Sequence, residues 1–143
     1  MFVQMALGAG LVALCVVLHA LALDRVVVYL KRRVARRTRR PHGLRRFSVL
    51  VQAAVAAFLS HVLHIWIWAV TFRLVGEFDT MEAALYFSTV SFTTVGYGDL
   101  TASVEWRLLG SFEAAAGMLL FGLSTAFLFE VMVSIWRKAD QPD

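Results

Sequence analysis

Three long apolar stretches constrain the fold of this chain most strongly, at residues 1–23, 49–70 and 107–136. A helix crosses the hydrocarbon core of a bilayer with about 20 residues at about 1.5 Å each, and every stretch is long enough. The composition agrees, because 59% of the 143 residues are hydrophobic and only 17% are charged. The sequence therefore predicts an all-α membrane protein with three transmembrane helices.

The first stretch allows two interpretations, a cleaved signal peptide or a permanent helix. No Lys or Arg precedes its apolar core, and no convincing small-residue cleavage site follows it. We therefore expect a permanent N-terminal transmembrane helix over residues 1–30, packed on the outside of the remaining helices.

The basic residues predict the orientation. Ten of the fourteen Lys and Arg lie between Arg25 and Arg46, and cytoplasmic loops carry such an excess. Residues 31–47 are thus expected to form a basic cytoplasmic connector in the cell membrane, with the N-terminus outside and the C-terminus in the cytoplasm. Four tryptophans fall where interfacial aromatics are expected: Trp66, Trp68, Trp106 and Trp136.

The basic run itself has more than one interpretation. Arg33, Arg36 and Arg39 recur every third residue, as in a voltage-sensor helix, but the residues between them are not steadily apolar. Attraction to anionic lipid headgroups explains the cluster better, and we expect no nucleic-acid partner. The expected lipid contacts are Lys31, Arg32, Arg33, Arg36, Arg37, Arg39 and Arg40.

A short helix is predicted over residues 79–92, between the second and third apolar stretches. Asp79 and Glu82 have the spacing of an N-cap and capping-box pair. Such a helix is about 20 Å long, too short for a core of about 30 Å, so the segment is expected to enter the membrane and return. Non-helical backbone at that depth must be buried by protein or lined by water.

The returning segment, Thr93-Thr94-Val95-Gly96-Tyr97-Gly98-Asp99, resembles the selectivity filter of potassium channels. The order of elements also resembles their pore module, over residues 48–138: outer helix 48–71, pore helix 79–92, filter 93–99 and inner helix 105–137. The resemblance implies a tetrameric potassium-channel pore fold and passive K⁺ conduction by a homotetramer. It implies no cofactor besides the permeant ion and no enzymatic activity.

The filter residues have a physical rationale. Stacked rings of backbone carbonyls replace the hydration shell of K⁺, and glycine reaches the positive φ values that aim successive carbonyls at one axis. By resemblance, the K⁺ ligands are the carbonyls of Thr94, Val95, Gly96 and Tyr97 with the Thr94 hydroxyl, and Gly98 completes the filter. The resemblance also implies that Tyr97 packs against supporting residues: Tyr86, Phe87 and Thr93.

Asp99 has two interpretations, a carboxylate ring at the outer mouth or a turn-stabilising side chain that bonds behind the filter. At Val90 the sequence departs from bacterial channels in which a glutamate pairs with the equivalent aspartate.

The third apolar stretch is expected to line the inner cavity. Steps of three and four residues place one stripe along it: Met118, Phe121, Thr125, Phe129 and Val133. Phe129 and Val133 form either a hydrophobic gate or ordinary packing, and Gly117 and Gly122 either a hinge or close helix packing.

Ionisable residues in these stretches are costly in lipid and face protein or water. We expect Glu113 to be a hydrogen-bonded structural carboxylate near the pore helix, and Glu130 to meet water or a basic residue. For His61 and His64, interhelical hydrogen bonding is favoured over pH sensing or metal binding. Two functions other than potassium conduction remain open: a non-conducting regulatory subunit and a poorly selective cation channel.

Overall fold

A computed structural model describes the chain at residues 1–35 and 43–140, and the side chains at residues 1–30, 32, 47–134 and 137. These ranges hold four helices and no strand: α1 Phe2–Ala35, α2 Gly43–Leu74, α3 Met81–Phe92 and α4 Arg107–Asp140. The predicted all-α fold is confirmed.

Three of the four helices are long and apolar enough to cross a membrane, over Phe2–Leu30, Phe47–Leu74 and Arg107–Ser134. The remaining helix, α3, has 12 residues and is therefore about 18 Å long, short of the hydrocarbon thickness. The protein is thus a membrane protein with one short helix between its second and third spans.

The three long helices extend beyond the expected bounds. α1 reaches Ala35 instead of residue 30, α2 covers Gly43–Leu74 instead of 48–71, and α4 covers Arg107–Asp140 instead of 105–137. Charged residues extend the helices past the apolar stretches, because Arg and Lys are good helix formers in water. Most of the expected connector 31–47 is consequently helical, and its centre, 36–42, lies outside the described residues.

The short helix α3 starts two residues later than expected. Its N-cap is Thr80, whose side-chain oxygen accepts a hydrogen bond from the backbone N–H of Ala83 at 3.2 Å. The prediction of Asp79 as the cap was wrong, because the backbone turns into the helix one residue further along. Glu82 lies in the first turn, where the helix dipole favours a negative charge.

α1 packs against both α2 and α4, and α3 packs between α2 and α4. α1 and α4 run parallel, since Gly8 lies against Phe112 and His19 bonds Ser124 further along both helices. α2 runs in the opposite direction, because residues 25–30 of α1 line one groove with residues 51–59 of α2. Three spans in this order cross the membrane in alternate directions.

Aromatic residues build the core where α2, α3 and α4 meet. The Phe87 ring packs edge-on against Phe72 at 5.0 Å and beside Phe78 at 5.0 Å. Trp68 is completely buried in this core and Trp66 is 43% exposed, and their expected depth at the membrane interface stays a prediction. Trp136 lies outside the described side chains. The core fixes α3, and with it the segment that follows.

Glu77 joins the two loops that flank α3 and the following segment. Its carboxylate accepts hydrogen bonds from the backbone N–H and from the hydroxyl of Ser103, the latter at 2.8 Å. The loop that enters α3 and the loop that leads into α4 are therefore held together.

Candidate functional site

Backbone conformation alternates along residues 94–98. φ is positive at Thr94 (60°), Gly96 (58°) and Gly98 (79°), but not at the intervening Val95 and Tyr97. Glycine adopts positive φ without a Cβ penalty, which explains two of the three positions. The alternation matches the alternating backbone conformations that the sequence predicts for this segment, while the aiming of its carbonyls at one axis stays a prediction.

Thr94 is the sole residue other than glycine with positive φ in the described part of the chain. A β-branched residue rarely adopts this conformation, and it costs about 1–3 kcal/mol. The end of α3 stabilises it, because Thr94 N–H donates to the Ser91 carbonyl at 2.9 Å and Val95 N–H donates to the Val90 carbonyl at 3.0 Å. Strain of this kind concentrates at functional sites.

The carbonyl oxygens of residues 94–98 have no hydrogen-bond donor among the described residues, since every bond of this segment uses its N–H groups. Gly96 N–H, for example, donates to the same Val90 carbonyl at 3.3 Å. Buried backbone carbonyls normally find a partner, but here they stand at the exposed surface of a single chain. The segment therefore presents free acceptor oxygens to whatever lies beside it.

The expected packing of Tyr97 against Tyr86 and Phe87 does not occur within one chain. Tyr97 is 73% exposed and makes no ring contact with other described residues, while Phe87 faces Phe72 and Phe78 in the core. Packing of Tyr97 on these two residues in an assembly of several chains stays a prediction.

Tyr86 instead supports the segment through Asp99. Its hydroxyl donates to Asp99 Oδ2 at 2.6 Å, and Asp99 Oδ1 accepts from the N–H of Leu100 at 3.0 Å. The Tyr86 hydrogen bond lowers the pKa of the Asp99 carboxyl, and the same bond raises the pKa of Tyr86. Asp99 therefore acts as a side chain that forms hydrogen bonds behind the segment, which is one of its two expected roles. The other role, a carboxylate at the outer mouth, stays a prediction.

Thr93 and Phe92 fix the start of the segment on the neighbouring helices. The Thr93 hydroxyl donates to the Thr89 carbonyl at 2.7 Å. A Cβ added to Gly117 of α4 would overlap the backbone carbonyl of Phe92. Close packing therefore explains the glycine at 117. At Gly122 an added Cβ would meet nothing within 4 Å, so a hinge there stays a prediction.

The stripe predicted along α4 is largely uncovered in one chain. Met118 and Phe129 are each 62% exposed, and Thr125 is exposed with its hydroxyl bonded to the Phe121 carbonyl at 2.9 Å. Val133 is half-buried. Phe121 is 39% exposed, and its ring also packs on His61 at 4.5 Å and on Phe92 at 5.7 Å.

Comparison with known proteins finds a match over the region of the chain that holds this segment. A protein-family model described as ion channel matches residues 49–134, which run from α2 through the filter-like segment into α4. The chain belongs to this ion channel family. No curated protein and no solved structure matches it. The whole N-terminal helix α1 thus lies before the part of the channel that the family model describes.

Two glutamates of the channel lie on α4. Glu113 is completely buried beside Ser88 of α3, as expected for a group near the pore helix. The hydrogen bond expected of this carboxylate stays a prediction. Glu130 is exposed.

Three histidines of the channel form a polar cluster, and one of the three was not predicted from the sequence. His61 Nε2 and Ser124 Oγ are 2.9 Å apart, which confirms the predicted interhelical bond. His19 of α1 lies 3.0 Å from Ser124 Oγ and 2.9 Å from Ser60 Oγ. The available signal was the rarity of polar side chains inside apolar helices, which tend to face one another.

Proposed function

We propose that this chain is a potassium-selective channel that conducts K⁺ passively through a homotetramer. The observation that carries the proposal is the alternating backbone of residues 94–98, with positive φ at Thr94, Gly96 and Gly98. It occurs in the segment whose sequence resembles a potassium filter, and its carbonyl oxygens are free of donors within the described chain.

The ligands in this proposal are backbone oxygens. Four carbonyl rings, from Thr94, Val95, Gly96 and Tyr97, and a ring of Thr94 hydroxyls replace the water around K⁺. The C-terminal end of α3 carries a partial negative charge toward the start of the filter, which favours a cation there. Asp99 adds a carboxylate to each subunit at the outer mouth and raises the local cation concentration.

Exposed apolar side chains support assembly. In a single chain Val95 is 52% exposed, Tyr97 73% and Met118 62%, so each has surface that neighbouring copies of the chain can cover. One chain supplies one filter strand, so a ring of carbonyls requires several copies around an axis. Closed symmetry is the usual arrangement of identical subunits, and four copies complete the filter in the family that the sequence resembles.

The proposed orientation rests on the basic run between α1 and α2. The N-terminus is outside, the C-terminus is cytoplasmic and the membrane is the cell membrane. Anionic lipid headgroups at the basic residues stabilise this orientation. Of those residues only the exposed Arg32 has a described side chain. Phe129 and Val133 lie toward the C-terminal end of α4, on the cytoplasmic side in this orientation, and form the proposed gate.

Reconstitution tests the proposal. Purified protein in planar bilayers, with a tenfold potassium gradient, is expected to carry a current whose reversal potential follows that gradient, at about 59 mV for a monovalent ion. Chemical cross-linking in the same preparation is expected to stop at four chains. A complete absence of current over all voltages and pH values would favour a non-conducting subunit and contradict the proposal.

A further inference from the structure

A continuous chain of hydrogen-bonding groups lies among α1, α2 and α4. In order, it runs through five side chains: His61, Ser124, His19, Ser60 and His64. The four distances are 2.9, 3.0, 2.9 and 3.3 Å. All five side chains are buried. His19 is central, because it alone uses both ring nitrogens.

The number of hydrogen-bond donors restricts how these five side chains are arranged when all three histidines are neutral. A neutral imidazole has one N–H and one acceptor nitrogen, and a hydroxyl donates one proton. Each serine oxygen lies between two ring nitrogens, and its hydroxyl proton is used within this set when it accepts from one ring and donates to the other. If both serines do so around a neutral His19, the donors point the same way along all four bonds, from His61 to His64 or in reverse. Two neutral arrangements are therefore equivalent in bonding.

All four hydrogen bonds are also made when His19 carries one additional proton. A doubly protonated His19 donates from Nδ1 to Ser60 and from Nε2 to Ser124, and each serine donates onward to the Nε2 of a neutral histidine. No bond is lost, since only half of the donors reverse. The two unpartnered Nδ1 atoms, of His61 and His64, then both carry hydrogen. The centre of the chain is thus built to accept a single proton.

The groups that face this centre are few. α1 contributes Cys15 one turn away from His19, α2 contributes the other two histidines, and α3 contributes the Phe92 ring, 5.9 Å from His61. α4 contributes Ser124 and Phe121. The α4 glutamates on either side of Ser124 are the exposed Glu130, six residues away, and the buried Glu113, eleven residues away. Along the helix these separations are rises of about 9 Å and about 16 Å. Among the described residues no set of His, Cys, Asp and Glu is arranged to hold a metal ion.

We propose that His19, Ser60 and Ser124 form a buried proton-binding site through which the N-terminal helix α1 controls the inner helix α4. A proton placed here puts a positive charge among three helices with no bonded carboxylate, and admitting water relieves the cost of that buried charge. Water entry separates α1 from α4 at Ser124. Control of current rests on the proposed channel function, whereas proton binding does not.

The site also reaches the start of the filter. Phe92, the residue before Thr93, packs on the rings of His61 at 5.9 Å and His64 at 6.4 Å. Phe121 of α4 packs on His61 and Phe92 together. A change in the histidine positions is therefore transmitted to the base of the filter through two aromatic contacts.

Proton binding is measured directly by ¹⁵N NMR of histidine-labelled full-length protein in lipid nanodiscs. The His42→Gln background removes the one histidine outside the cluster. Between about pH 8 and about pH 5, the range in which histidine charges in proteins, His19 is expected to become doubly protonated while His61 and His64 stay neutral. If His19 stays neutral across this range, or if all three titrate independently as exposed imidazoles do, the proton site is refuted.

Control of the channel is measured by potassium flux from proteoliposomes over the same pH range. Wild-type flux is expected to change several-fold with pH. His19→Gln keeps hydrogen-bonding capacity without taking a proton, so its flux at neutral pH is retained and its pH response is lost. Ser124→Ala breaks the chain on α4 while leaving His19 in place, and it is expected to lose the response as well. His42→Gln serves as the matched control and keeps it.

The two proposals fail in different ways. Equal pH responses in wild type and His19→Gln would overturn the control of α4 by His19. Absence of flux from every variant, together with protonation of His19 by NMR, would overturn the channel function and leave the proton site standing.

Discussion

The backbone carbonyl of Phe92 occupies the space that a Cβ on Gly117 would take. Phe92 ends the short helix α3, and Gly117 lies on the inner helix α4. Because the proposed filter starts at the next residue, Thr93, the base of that segment rests directly on α4. Movement of α4 at this position is therefore expected to act on the proposed filter without an intermediate side chain.

Gly117→Ala is expected to abolish or strongly reduce potassium flux, because the added methyl displaces Phe92 and the filter base. Gly122→Ala is the matched control on the same helix, since its Cβ meets nothing within 4 Å. Flux assays on both variants check the prediction. Normal flux from Gly117→Ala would show that the filter base does not depend on this contact.

Gly96→Ala is expected to eliminate potassium flux while leaving assembly intact. Its φ of 58° penalises a Cβ, at about 1–2 kcal/mol per residue, although no neighbouring atom of the chain obstructs the methyl. Gly10→Ala on α1 also has open space and is the control. Size-exclusion chromatography and flux measured together separate conduction from assembly. A conducting Gly96→Ala channel would contradict the assignment of the filter.

The helices and the positive φ of Gly96 and Gly98 could be predicted because their signals are local. Length and apolarity define the spans, and the glycines at 96 and 98 mark positions of positive φ. The third such position, Thr94, could not be predicted from residue type, because a β-branched residue normally avoids this conformation. Its conformation depends on hydrogen bonds from the end of α3.

Tyr86→Phe is expected to raise the pKa of Asp99 toward its ordinary value of about 3.9. The Tyr86 bond lowers this pKa, so it stabilises the fold at pH values above the ordinary pKa, and that stability is lost as pH falls through the lowered value. Carboxyl ¹³C NMR across the acid range measures the shift. Asp79→Asn, in the nearby loop, removes a different carboxylate and is expected to leave the Asp99 titration unchanged. An unaltered Asp99 titration in Tyr86→Phe would disprove the coupling.

Thr80→Ala is expected to destabilise α3 by about 1 kcal/mol, since it removes the N-cap oxygen. This corresponds to about fivefold faster amide exchange in the first turn, measurable by hydrogen–deuterium exchange. Asp79→Ala is the control at the neighbouring position, which the sequence pattern favoured as the cap. A larger effect at Asp79 than at Thr80 would reverse the assignment.

Contacts between distant elements explain what the sequence could not predict. Trp68 is an aromatic residue near the expected end of a span, yet the packing between helices buries it completely. The hydrogen bonds of His19 could not be predicted from a single polar residue in an apolar stretch, because its partners Ser60 and Ser124 are 41 and 105 residues away in the chain. Glu113 was correctly predicted to lie near α3, where it is buried beside Ser88.

A reversal potential under bi-ionic conditions tests the central claim most directly. Wild-type protein in a planar bilayer is placed between potassium on one side and sodium on the other, at equal concentration. Selective carbonyl sites at Thr94, Val95, Gly96 and Tyr97 predict a reversal potential displaced far from zero, with the sign that potassium flow dictates. A current that reverses near zero would contradict potassium selectivity and identify a poorly selective cation channel.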